Sequence, residues 1–91
     1  MEKLTKTKKE DILIREYNKN LESKVMKEFE IALQEKLDPN EMSAQEILKR
    51  DANGKPLSYQ TINRKRYLEI LREELERVEL RLQTIKELET K

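Results

Sequence analysis

The chain carries one glycine and two prolines, and all three, Pro39, Gly54 and Pro56, sit in its middle third. Residues 1–38 and 57–91 therefore lack both of the residues that most disfavour a helix interior, while Leu, Glu, Lys and Arg recur through each stretch. Two long helices separated by a broken segment are the expectation.

The first helix opens at the capping box Thr7-Lys8-Lys9-Glu10, in which a hydroxyl and a carboxylate three residues apart satisfy free backbone donors. Ile14, Tyr17, Leu21, Val25, Phe29 and Ala32 follow at an average spacing of 3.6, with Leu13, Met26, Leu33 and Leu37 widening the stripe. This predicts a helix over residues 8–37 that buries one broad face. It should stop at Asp38-Pro39-Asn40, because proline restricts the residue before it. A second capping box, Ser43-Ala44-Gln45-Glu46, predicts a short helix over residues 43–51 with Ile47 and Leu48 as its apolar residues. Asn53-Gly54 and Pro56 then mark a loop, and Ser58 is positioned to cap a long third helix over residues 58–90.

Inside that third helix the apolar spacing changes. Leu68, Leu71, Leu75, Val78, Leu82 and Ile85 repeat at steps of 3, 4, 3, 4 and 3, a heptad seam. A parallel pair would oppose Glu74 to Glu79 and Arg81 to Lys86, both repulsive. An antiparallel pair opposes Glu74 to Arg81 and Arg72 to Glu79, so antiparallel packing is favoured. The seam can lie between two chains or between the two long helices of one chain. The expected fold is all-α: two long helices in an antiparallel hairpin with a short helix at the tip, dimerising through the C-terminal heptad helix.

Composition narrows the chemistry. With no Cys, His or Trp, the chain lacks thiols, imidazole and the usual zinc ligands, so neither an enzyme nor a metal or other cofactor is expected. The longest apolar run, Ile12-Leu13-Ile14, is far below the roughly 20 residues that span a bilayer. A soluble, cytoplasmic protein with no membrane partner is the expectation. Charged residues are 43% of the chain and aromatics 4%, too little apolar material for a thick core, which favours a homodimer.

The net charge of +1 conceals segregation. Residues 1–9 carry +3, residues 10–49 carry −4, residues 50–66 carry +4 and residues 67–91 carry −2. Phosphate affinity depends on such local patches. Residues 1–7 read as a flexible basic arm, and Lys3, Lys6, Lys8 and Lys9 could touch a nucleic-acid backbone. The order of short helix, turn and basic helix start around residues 44–66 reads as helix-turn-helix-like. Lys55, Ser58, Tyr59, Gln60, Asn63, Arg64, Lys65 and Arg66 are its candidate nucleic-acid-binding residues, since Arg pairs with guanine, Gln or Asn with adenine, and Lys with phosphate.

The stretch Leu57-Ser58-Tyr59-Gln60-Thr61-Ile62-Asn63-Arg64 resembles the start of the recognition helix in the lac repressor family. That resemblance implies a helix-turn-helix element in which Ser58, Tyr59, Gln60 and Arg64 face DNA. Two functions follow as expectations. The first is a small dimeric regulator or accessory protein that binds double-stranded DNA, of the kind phages and plasmids encode for transcription regulation. The second is a helical protein–protein interaction module, an adaptor, inhibitor or scaffold with a protein partner and no nucleic-acid role.

Overall fold

A computed structural model describes residues 6–90, in the order α1 (Lys6–Glu35), β1 (Met42–Arg50), β2 (Pro56–Asn63) and α2 (Arg64–Glu89). The architecture is α+β, which corrects the all-α expectation. Where a short helix over 43–51 and the first residues of a helix over 58–90 were expected, the chain forms a two-stranded antiparallel hairpin. The helix-turn-helix expected over residues 44–66 does not form, because Leu57 to Asn63 of the segment that resembles a recognition helix lie in β2 and Arg64 opens α2. Residues 1–5 of the expected basic arm lie outside the described residues, while Lys6, Lys8 and Lys9 belong to α1.

The hairpin wins because its turn and its second strand are stronger local signals than the helical propensity of Ala44 to Arg50. Asn53-Gly54 is a favoured hairpin turn, and Gly54 takes φ +84°, a left-handed conformation that costs other residues about 1–2 kcal/mol. Asp51 organises the loop: its carboxylate accepts from the backbone N–H groups of Asn53 at 2.9 Å and Lys55 at 2.8 Å, while its own N–H donates to the Lys55 carbonyl. Tyr59, Thr61 and Ile62 then supply β-favouring side chains. Pairing sets Ala44 opposite Ile62 and Glu46 opposite Gln60, so these share one side of the sheet. On the other side Ile47 meets Tyr59, and both are exposed. Gly54→Ala is expected to cost about 1–2 kcal/mol, read as a lower urea midpoint, and the cost is purely conformational because a Cβ there would meet nothing within 4 Å.

Asn63, rather than Ser58, caps α2: its side-chain oxygen accepts from the Arg66 N–H at 3.0 Å. The hairpin base is knitted to the loop after α1, since the N–H of Arg64 donates to the Glu41 carbonyl and that of Lys65 to the Pro39 carbonyl. The Arg64 side chain closes the junction. Its Nε donates to Gln34 Oε1 at 2.7 Å, and Nη1 donates to the Asp38 carbonyl and to Glu41 Oε2 at 3.1 Å. One guanidinium therefore ties the end of α1, the connecting loop and the start of α2.

From that junction α1 and α2 run back as a hairpin. Leu68, Leu71, Val78, Leu82 and Ile85 are buried and Leu75 is half-buried, so the heptad seam is covered within the single chain. Ile31, Leu68 and Leu71 form the core cluster, with Tyr67 and Leu75 packed against it. Burial, together with Glu30 and Glu74, pushes the Tyr67 phenol above its usual pKa. Across the seam Lys27 pairs with Glu74 and Arg72 with Glu35, each at 3.0 Å. Such partly exposed pairs add only about 0.2–1 kcal/mol and serve mainly to fix alignment.

The molecule measures 51 × 34 × 15 Å. Its thinnest dimension barely exceeds the ~10–12 Å diameter of one helix with side chains, so the fold is a single layer. The radius of gyration is 17.5 Å, against about 12 Å for a compact chain of this length. Among the described residues no side chain is completely sealed from solvent.

Candidate interaction surface

The residues expected to meet DNA do not share one surface. Arg64 is buried in the junction, its side chain only 7% exposed. Asn63 is occupied as the helix cap, and Ser58 is half-buried on the sheet. Arg66 donates from Nη2 to Glu46 Oε1 at 2.7 Å and from Nη1 to Glu69 Oε2 at 3.2 Å. The hydrogen bond from Arg66 holds the Glu46 carboxyl below the usual carboxylate range, and the two glutamates hold Arg66 still more firmly protonated. Tyr59, Gln60, Lys55 and Lys65 are exposed. The basic patch counted along the sequence is thus partly consumed by folding.

A different surface is left open on α1. Its covered face runs through Leu13, Tyr17, Asn20, Lys24, Lys27, Ile31 and Gln34, at alternating steps of 4 and 3 that match the heptads of α2, with Ser23 and Glu30 half-buried beside them. Asn20 is buried there with its Nδ2 donating to the Glu16 carbonyl at 2.7 Å. Lys24 and Lys27 are half-buried, so their methylene stems line the seam while the ammonium groups reach outward. The apolar stripe of the sequence, by contrast, faces away. Phe29 is 67% exposed, Val25 58% and Ile14 52%, and Leu21, Met26 and Leu33 are also exposed. At 100° per residue Val25 stands about 120–140° around the helix from Ile31 and Asn20. Of the six stripe residues expected inside, only Tyr17 is half-buried.

The junction explains this orientation. With Gln34 Oε1 held at 2.7 Å from Arg64 Nε, the Gln34 side of α1 must turn toward α2. Residues at heptad steps before Gln34, namely Ile31, Lys27 and Lys24, follow onto the same face. The 3.6-period stripe is then carried to the outer side.

Elsewhere Met42, Ile47, Leu48, Leu57 and Tyr59 are exposed on the hairpin, and Leu80 and Leu88 are exposed on α2. Among the described residues no cluster of His, Cys, Asp and Glu is arranged to hold a metal ion, and no helix is long and apolar enough to cross a membrane. No family model, curated protein or solved structure matches this chain.

Proposed function

We propose that the protein is a helical protein–protein interaction module whose recognition surface is the outer face of α1. The observation that carries this reading is the direction of the apolar stripe. Ile14, Leu21, Val25 and Phe29 form a continuous exposed row on a rigid helix, and contiguous apolar patches on that scale mark sites of association. An amphipathic helix presented this way is read by a partner through anchors at spacings of 3, 4 and 7. Phe29, the most exposed of them, is the natural central anchor, since aromatic residues dominate binding energy at interfaces.

The duplex-binding alternative draws on Lys49, Arg50, Lys55 and Lys65, which are exposed at and near the hairpin. Arg50 already spends one nitrogen on the Gly54 carbonyl at 2.8 Å. A two-stranded ribbon can enter a major groove, but the exposed surface of this one carries Ile47, Leu57 and Tyr59, so the lysines and arginine around it offer phosphate contacts rather than base readout. The reading is tested by affinity capture with the wild-type chain and with Phe29→Asp as bait. A stoichiometric protein partner, or the chain itself, should be retained by wild type and lost with Phe29→Asp. Tight, sequence-selective duplex binding that is indifferent to Phe29→Asp would overturn it.

A further inference from the structure

We infer that the outer face of α1 is covered by a second copy of this chain, with the two α1 helices crossing antiparallel about a twofold axis at Val25. The inference rests on the reading of α1 as the recognition surface and names its occupant. Three observations point to a copy rather than to an unrelated protein.

The first is the pattern of the exposed side chains. Leu21, Val25, Phe29 and Leu33 are spaced four residues apart and all exposed, which makes a ridge along the helix surface. Laid nearly antiparallel, two such faces can pack along their length at a shallow crossing angle of about 20°. Around an axis at Val25 the row matches itself: Val25 meets its own counterpart, Leu21 meets Phe29 of the copy, and Asn18 meets Ala32. An isologous contact requires this self-complementarity.

The second is charge. In the same register Lys24 lies beside Glu28 of the copy, and the symmetry repeats the pair. Arg15 falls beside Leu33 and Glu22 beside Met26, so no like charges are opposed along either flank. In a parallel arrangement Lys24 and Glu28 of the copy fall on opposite sides of the interface, so this pair is not made.

The third is area. Ile14, Leu21, Val25, Met26, Phe29 and Leu33 are each between 39% and 67% exposed. At about 150–200 Å² for a free side chain of this size, roughly 500 Å² lies open on one face, near the upper end of the largest patches on monomers. Joining two copies covers on the order of 1,000 Å², the threshold for a specific interface. It also converts a layer 15 Å thick into two layers, the minimum in which helices bury a face on both sides. The chain's own α2 does not obstruct this, because it packs on the Asn20 and Ile31 side of α1.

The full chain should sediment at twice its 11.0 kDa mass at about 50 μM, a concentration at which a specific interface of this class is expected to be populated. Phe29→Asp should leave a monomer with unchanged helical circular dichroism. Because the sequence has no cysteine, Val25→Cys gives a clean positional probe. A residue on the twofold axis of touching helices lies within disulfide reach, so Val25→Cys should cross-link nearly completely under mild oxidation, while Leu80→Cys on α2 should not. A chain that stays monomeric at about 200 μM, where a contact of this area should be populated, overturns the inference. Equal cross-linking at positions 25 and 80 also overturns it. If the monomer still retains a different protein in a Phe29-dependent way, the interaction-module reading stands and only the identity of the occupant falls. If neither self-association nor partner capture depends on Phe29, both fall.

Discussion

Arg64→Ala is expected to lower the folding free energy by about 3 kcal/mol, which in a chain of this length corresponds to a fall in Tm of roughly 12–24 °C. Three acceptors lose their donor at once: Gln34 Oε1, the Asp38 carbonyl and Glu41 Oε2. Of the groups stranded, Glu41 is 62% exposed and can turn to water, so the effect stays below that of a fully enclosed ion pair. Arg64→Lys should restore little, because an ammonium cannot present the planar fork that reaches α1 and the connecting loop together. Thermal and urea unfolding of both variants make the measurement. A residue that served as a DNA contact would behave in the opposite way, with duplex affinity lowered and Tm unchanged.

The same residue shows where the sequence is legible and where it is not. An Arg that follows a capping Asn in a basic run carries no mark of burial. Its role depends on Gln34 and Asp38, some thirty residues earlier, being folded back beside it. The two long helices, by contrast, were readable, because breakers confined to residues 39–56 and sustained apolar periodicity are local signals. The heptads of α2 read as a dimer seam held by Glu74–Arg81 and Arg72–Glu79 pairs, whereas in the structure they pack on α1 of the same chain, with Glu74 on Lys27 and Arg72 on Glu35.

Two features misled the sequence reading for physical reasons. Ser43-Ala44-Gln45-Glu46 satisfies the capping-box pattern, yet helix propensities differ by only a few tenths of a kcal/mol per residue, and cross-strand pairing with β2 outweighs them. The alternation of Leu57, Tyr59 and Thr61 against Ser58, Gln60 and Ile62 beside Asn53-Gly54 was the available sign of a strand. The stripe of α1 was identified residue by residue but assigned to the wrong side. Amphipathicity shows that a face seeks cover without showing what covers it, and here the intramolecular seam selects a face with two lysines and an asparagine.

The division of labour between the two faces leads to the second large effect. Leu71→Ala is expected to cost about 2–4 kcal/mol, since truncating a buried leucine removes its transfer free energy and leaves a cavity. Leu71 is 6% exposed and sits in the cluster with Ile31 and Leu68. A structure only one layer thick can relax into part of that space, which keeps the value below the upper end for leucine truncations. Leu80→Ala is the matched control: Leu80 is 67% exposed on the same helix, and its removal should change stability by less than about 0.5 kcal/mol. Urea midpoints with an unchanged m-value would report both effects cleanly. Measured in the Phe29→Asp background, where association through α1 is removed, the loss from Leu71→Ala should be the same at about 2 and 200 μM protein, because a seam inside one chain has no concentration dependence. A midpoint that rises with concentration in that background would place the heptad seam between chains.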